Sequence, residues 1–239
     1  MRDMLSVITK KEYWKWCDAG ASASGKGVLK DIQDAFALFH LSGLKGSRVC
    51  EIGGGNSRVL PKLVGDNECW NLDKFEGQGG GPSVIVERPG VKLKRVFIGD
   101  FSPEVPDGYF DIVFSVSVVE HIPSQSYANA IRDCARILKK GGRMLHAIDV
   151  YLPDPGSTHP LFASLRQRLA LYLQTAELSD GGFAWVEPPR IDLNLISSAT
   201  HACNQVDELY KWNKMFPQLR ELREAGASCS LQMILERQN

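Results

Sequence analysis

Between residues 48 and 152 short apolar runs alternate with turn residues and helix-patterned stretches, and this alternation restricts the chain to one kind of architecture. RVCEI (48–52), ECWNLD (68–73), RVFIGD (95–100), FDIVFSVSVV (110–119) and RMLHAIDVYL (143–152) read as five strands. Between them SRVLPKLVG (57–65) reads as a short helix and SYANAIRDCARILKK (126–140) as a long one, stopped by Gly141 and Gly142. Residues 74–83, KFEGQGGGPS, are too rich in glycine for a helix. Strands that are apolar on both faces and separated by helices need cover on both sides. The expected fold is therefore α/β, a doubly wound, mostly parallel sheet with helices on both faces.

The flanks are less regular. Residues 10–42 read as helical, interrupted by the small residues of GASASGKG, and Leu29, Ile32, Phe36 and Phe39 give one apolar helix face. Beyond residue 150 we expect a helix over 160–178, a strand over 191–199, a broken helix over 208–226 and a last strand over 228–238. With no linker and no repeat, residues 1–239 form one expected domain: a helical lid (1–44), a cofactor-binding core (45–150) and an acceptor-side portion (151–239).

Composition excludes several partners. Lys plus Arg and Asp plus Glu balance at 28 each, so no overall field draws in nucleic acid, and a nucleic-acid partner is not expected. No apolar run is long enough for a membrane span, and the N-terminus lacks a signal-peptide core. The six cysteines are scattered without a C-x-x-C pair, and His201 near Cys203 gathers no further ligands, so no metal site is expected. Buried, reduced thiols in a cytoplasmic protein are the expectation. Gly20 to Lys26 has the spacing of a phosphate loop, but Gly27 replaces the magnesium-binding Ser or Thr and no strand precedes it.

The chemistry-bearing constellation follows the strand at 48–52. Glu51-Ile52-Gly53-Gly54-Gly55 lets the backbone take positive φ and lets a ligand approach without Cβ clashes. Asp73 closes the next strand about twenty residues later, where a carboxylate can accept from both ribose hydroxyls of a nucleoside. A dinucleotide fits both features, but its third small residue would fall at Arg58, where the helix must pack closely. An acid beside the glycines also suits an ammonium and a sulfonium better than a pyrophosphate.

Over residues 45–150 the chain resembles the class I S-adenosylmethionine-dependent methyltransferases, in particular their small-molecule branch, and the implied fold is Rossmann-like. Glu51–Gly55 looks like their first motif and Asp73 like their ribose-binding acid. Gly99-Asp100-Phe101 resembles the motif that contacts adenine through its carboxylate. Phe110 to Val113, continuing through Ser115 to Val118-Val119-Glu120-His121-Ile122, resembles the fourth motif. Leu138-Lys139-Lys140-Gly141-Gly142 introduces the fifth strand, with Lys140 in place of the usual proline. The resemblance implies cofactor contacts from Glu51, Gly53, Gly54, Gly55, Asp73 and Lys74. On the other strands it implies Asp100, Phe101, Ser115, Val116 and Ser117, with S-adenosyl-L-methionine as cofactor.

Methyl transfer from a sulfonium depends mainly on alignment, and a base matters only where the acceptor loses a proton. His121 and Glu120, just after the fourth strand, are the catalytic candidates, and Asp149 near the end of the fifth is a third. His121 has the intrinsic pKa a base needs near neutrality. Tyr13, Trp14 and Trp16, with Trp185, Tyr210 and Trp212, are candidate walls of an acceptor pocket or ordinary packing. The expected activity is transfer of a methyl group to O or N of a small molecule or saccharide. The alternatives are an NAD-type oxidoreductase, which lacks a Tyr-x-x-x-Lys here, and a non-catalytic scaffold of the same shape.

Overall fold

The computed structural model describes residues 4–21, 29–77, 81–153, 160–185 and 226–238, with the single positions 158, 189, 191 and 220. The strands are β1 (Met4–Val7), β2 (Arg48–Ile52), β3 (Glu68–Leu72), β4 (Val91–Lys94), β5 (Phe110–Val116), β6 (Leu138–Pro153) and β7 (Gly226–Glu236). The helices are α1 (Lys10–Asp18), α2 (Leu29–Leu41), α3 (Ser124–Ile137), α4 (Leu161–Leu173) and α5 (Thr175–Leu178). The strands form one sheet in the order β1-β7-β6-β5-β2-β3-β4. β2 to β6 run parallel to one another, and β7 runs antiparallel to both β6 and β1.

Strand alternation sorts the core onto two faces. Cys50 and Ile52 of β2, Val113 of β5 and Met144 and Ile148 of β6 join Ile131, Cys134 and Ile137 of α3 and Tyr172 of α4. On the other face Val49, Ile112, Phe114, Leu145 and Ala147 meet Trp16 of α1 and Ile32, Ala35 and Phe36 of α2. By the same alternation Asp149 belongs to the α2 face and Ser115 and His146 to the α3 face, which decides what each can touch. α1 is nucleated locally: the Thr9 hydroxyl accepts from Glu12 N–H at 3.2 Å and the Glu12 carboxylate accepts from Thr9 N–H at 2.8 Å.

The sheet with helices on both faces agrees with the sequence, while four local expectations are corrected. The third parallel strand is Val91–Lys94 rather than residues 95–100. β3 pairs Cys69 with Val91 and Leu72 with Lys94, and its last amide, Asp73 N–H, donates to Lys94 C=O at 3.1 Å. β3 ends there, so residues 95–100 have nothing to pair with, although Val96 and Ile98 are buried. The helix expected over 57–65 shrinks to a single 3-10 turn at Leu60–Lys62, with Pro61 in its first turn, where the missing amide rules out a helical bond back to Ser57. α3 stops at Ile137 instead of Lys140, since Leu138 already pairs with Phe110 as the start of β6. The C=O groups of Arg136 and Ile137 accept from Gly108 and Tyr109 N–H, both at 2.8 Å, which satisfies the helix end. Finally, β1 adds a strand inside the stretch expected to be only helical: Met4 to Val7 pair with Ile234 to Leu231. Four residues are too few for their alternation to register. The strand expected over 191–199 and the broken helix over 208–226 lie almost wholly outside the described residues.

Candidate cofactor and acceptor site

A cleft of about 190 Å³ opens beyond the carboxyl ends of β2, β3 and β5, where open α/β sheets hold their ligands. Gly53, Asp73 and Lys74 line one side, Val96 to Ile98 form an apolar wall, and Ser117 and His121 face them.

The glycine turn is held in shape by side chains from β3. Gly54 N–H donates to Asn71 Oδ1 at 3.2 Å, Asn71 Nδ2 donates to Gly55 C=O at 2.9 Å, and Gly55 N–H donates to Asp73 Oδ2 at 2.9 Å. Asp73 Oδ1 accepts from Phe75 N–H at 2.7 Å, so one lone pair on each carboxylate oxygen orients Asp73 and the others remain for a ligand. Gly54 has no room for a side chain: a Cβ would lie 2.6 Å from Asn71 Oδ1 and 2.9 Å from Glu51 Cδ. Gly53 and Gly55 have φ of +59° and +48°, and their added Cβ atoms would meet Val118 and Pro82 at 2.8 Å.

Glu51 sits beneath this turn at 4% exposure, and its Oε2 has no hydrogen-bond partner. Burial pushes its carboxyl up to about 8, against the Ser57 hydroxyl that favours the ionised form. A buried carboxyl with an unsatisfied oxygen at the base of a glycine cradle fits a ligand that brings a cationic donor. That is the requirement an amino-acid ammonium meets.

The other expected contacts are distributed differently. Lys74 lines the cleft, stands 5.1 Å from the Phe97 ring centroid and pairs with Asp100 at 3.3 Å. Asp100 is more than half exposed and, with Phe101, lies outside the cleft lining; Phe101 has a φ of +52°. Their loop is fixed by a residue the sequence did not single out. Buried Asp133 of α3 accepts Gly99 N–H at 2.7 Å and Phe101 N–H at 3.2 Å. Ser115 turns inward, its hydroxyl 2.7 Å from His146 Nδ1, and Val116 packs on the α2 face. Of the serines in this stretch, Ser117 is the one on the cleft wall.

The acceptor-side candidates gather at the ends of β5 and β6. Ser117, at a φ of +53°, donates to Asp149 Oδ1 at 2.5 Å and lies 2.7 Å from Gln33 Oε1. Gln33 Nε2 donates to Asp149 Oδ1 at 2.6 Å, and Lys30 Nζ donates to Ser117 Oγ while standing 3.7 Å from Asp149 Oδ2. Glu120 lies beside Asp149, and its Oε1 is 3.9 Å from His121 Nε2. Burial lowers the pKa of His121, with the Asp149 charge opposing the shift. Arg168 of α4 fastens the turn by donating to the carbonyl oxygens of Glu120 and Ile122. Lys30 and Gln33 escaped the sequence reading because nothing in α2 marks them as polar residues with a distant partner. Of the aromatic candidates, Tyr13 and Trp16 are buried against α2 and Trp14 is exposed. Trp185 donates its indole N–H to Leu173 C=O at 3.2 Å, and Tyr210 and Trp212 fall outside the described residues.

A mostly parallel sheet covered by helices, with a glycine turn and a cleft at its carboxyl edge, is a Rossmann-like α/β fold. The comparisons agree. Residues 51–146 match a family model described as a methyltransferase domain, and over that span the chain is similar to the class I methyltransferases, which use S-adenosyl-L-methionine. A tRNA U34 carboxymethyltransferase from Hydrogenovibrio crunogenus is 30% identical over 119 residues, which cover 44% of this chain and 33% of that protein. Haemonchus contortus phosphoethanolamine N-methyltransferase 2, solved with phosphomonomethylethanolamine and S-adenosylhomocysteine, superposes with a TM-score of 0.55 at 13% identity, over 84% of this chain and 51% of its own. YcgJ from Bacillus subtilis superposes with a TM-score of 0.50 at 18% identity, over 84% of this chain and 96% of its own. The chain thus spans about a third of the curated relative and about half of the Haemonchus enzyme. At these identities the solved structures show a shared fold. Among the described residues no helix is long and apolar enough to cross a membrane.

Proposed function

We propose that this protein transfers a methyl group from S-adenosyl-L-methionine to an oxygen or nitrogen of a small-molecule or saccharide acceptor. The observation that carries the cofactor half is Glu51, buried with an unsatisfied oxygen under a glycine turn whose next strand ends in a cleft-facing Asp73. When bound, the cofactor supplies an electrophilic methyl group on a sulfonium. Glu51 meets its ammonium, Asp73 accepts from its ribose hydroxyls, and Val96 to Ile98 shield the base from water. His121 takes the acceptor's proton where one must leave. Placing residues 45–150 as the cofactor-binding core, 151–239 as the acceptor side and 1–44 as a cover within a single domain belongs to the same proposal. It draws support from Lys30 and Gln33 of α2 reaching the strand ends. A cytoplasmic location also belongs here and fits the five free cysteines among the described residues.

A nucleotide acceptor is the second reading, favoured by the relative named for tRNA U34. The balanced charge speaks for the first. Calorimetry with S-adenosylhomocysteine tests the cofactor half. Micromolar binding, weakened at least about tenfold by Asp73→Ala (about 1.4 kcal/mol), is expected. No binding of that ligand would sink the proposal. Methyl transfer from labelled cofactor to unmodified tRNA, with none to amine, hydroxyl or sugar panels, would move the acceptor to the second reading.

A further inference from the structure

We propose that Glu120 and Asp149 form a carboxyl pair holding a single proton, with Lys30, Gln33 and Ser117 fixing the negative charge on Asp149, and that this pair sets the protonation of His121 at the cleft wall. The inference deepens the methyltransferase reading and rests on it for the meaning of His121 as a base.

The two acids have opposite surroundings. Asp149 Oδ1 accepts from Gln33 Nε2 at 2.6 Å and from Ser117 Oγ at 2.5 Å, and Lys30 Nζ stands 3.7 Å from Oδ2. Two donors and an adjacent ammonium give Asp149 the contacts that stabilise a negative charge. Glu120 has the reverse environment: both carboxyl oxygens are buried without a well-formed hydrogen bond, and its own backbone N–H and Lys30 only partly offset that burial. Ionised, it would be a desolvated charge facing a second negative charge, the arrangement in which one member of an acid pair keeps its proton. Burial and the neighbouring Asp149 both push Glu120 well above the usual carboxylate range. The proton on Glu120 then has Asp149 as its acceptor, so the pair carries one negative charge and one proton.

His121 reads that charge. Its Nε2 is 3.9 Å from Glu120 Oε1, and its half-exposed ring lines the cleft. The charged and titratable groups facing the cluster are Lys30 from α2, Asp149 from β6, and Arg168 and Tyr172 from α4. Asp149 favours the imidazolium, whereas Lys30 and Arg168 disfavour it. Gln33 gives the arrangement its geometry. Its side chain is fully buried, and its Nε2 also reaches Ser230 Oγ at 3.3 Å, so one amide ties α2 to Ser117 just past β5 and to the paired residues Asp149 of β6 and Ser230 of β7. Lys30, Gln33, Glu120 and Asp149 are thus positioning residues that act through His121.

The test is a proton titration that needs no acceptor. The imidazole ¹³Cε1 shift of His121 is followed by NMR from pH 4.5 to 9 in the full chain labelled at histidine, with His121→Gln providing the assignment. Burial pushes His40 down to about 4 and His146 down to about 3, below the range in which His121 is followed. Asp149→Asn removes the pair's charge and is expected to lower the His121 midpoint by about one unit. Lys30→Met removes an opposing charge and should raise it by roughly half a unit. Glu120→Gln, a near-isosteric change to a residue that is already neutral, should move it by less than about 0.3 unit. A drop with Glu120→Gln as large as that with Asp149→Asn would show Glu120 ionised and overturn the pair. S-adenosylhomocysteine calorimetry on the same samples keeps the two claims separate: loss of binding in the unaltered protein refutes the methyltransferase reading, while the titrations still decide the pair.

Discussion

Asn71 ties both Gly54 and Gly55 of the glycine turn to β3, and replacing it tests whether the turn is the proposed cofactor cradle. The side chain is 4% exposed and makes two hydrogen bonds to the glycine turn, accepting from Gly54 N–H at 3.2 Å and donating to Gly55 C=O at 2.9 Å. Each is worth about 1 kcal/mol net, and the Gly55 carbonyl left buried without a donor adds to the loss. Asn71→Ala is therefore expected to cost about 2–3 kcal/mol. For a chain of this length that lowers Tm by about 5–10 °C. Because the turn is also the cradle, S-adenosylhomocysteine affinity should fall about tenfold, a further 1.4 kcal/mol that a remote core mutation would leave untouched. Asn71→Asp keeps the acceptor for Gly54 but turns the donor into a carboxylate oxygen against the Gly55 carbonyl, beside Glu51 and Asp73. Its affinity loss should match or exceed that of Asn71→Ala. Thermal unfolding and calorimetry on the three proteins read both quantities. A Tm within about 1 °C of the parent together with unchanged affinity for Asn71→Ala would refute the reasoning.

Two further outcomes follow from buried charge. Arg58 holds Asp34, itself 2% exposed, through Nε at 2.5 Å and a second nitrogen at 2.8 Å. Arg58→Ala should cost about 2–3 kcal/mol in urea unfolding, below the roughly 3–5 kcal/mol of a fully buried pair because Arg58 is half exposed, and adding Asp34→Asn should recover most of it. Burial pushes His146 down to about 3 and His40 to about 4, so both are neutral in the folded chain. An unfolded histidine with pKa near 6.5 binds its proton first, so the stability this neutrality allows is full above about pH 6.5 and is lost as pH falls toward the folded values. At pH 5 the loss comes to about 2 kcal/mol for each histidine. His40→Leu should lose less stability between pH 7 and pH 5 than the parent, and an equal loss would contradict the assignment.

The sequence determined the class of fold and the identity of the cradle. Alternating apolar strands and helices require a covered parallel sheet, and three glycines with Asp73 some twenty residues on mark the turn and the acid that line the cleft at its carboxyl edge, because both signals are local in the chain. Strand pairing was not legible. Val91–Lys94 became the edge strand because β3 ends at Leu72 and offers no partner to residues 95–100, and β1 exists because β7 lies open beside it. The supporting side chains were hidden for the same reason. Asn71, Asp133, Gln33 and Lys30 bond across 17 to 116 residues of chain, and no spacing along a helix or strand encodes a partner that distant. The inward turn of Ser115 onto His146 and the placement of Asp149 against α2 were likewise settled by which face each strand position presents. Local chemistry is written in neighbours along the chain. The upward shifts of the Glu51 and Glu120 carboxyls come from burial and from neighbours distant in the chain, and only the folded chain sets them.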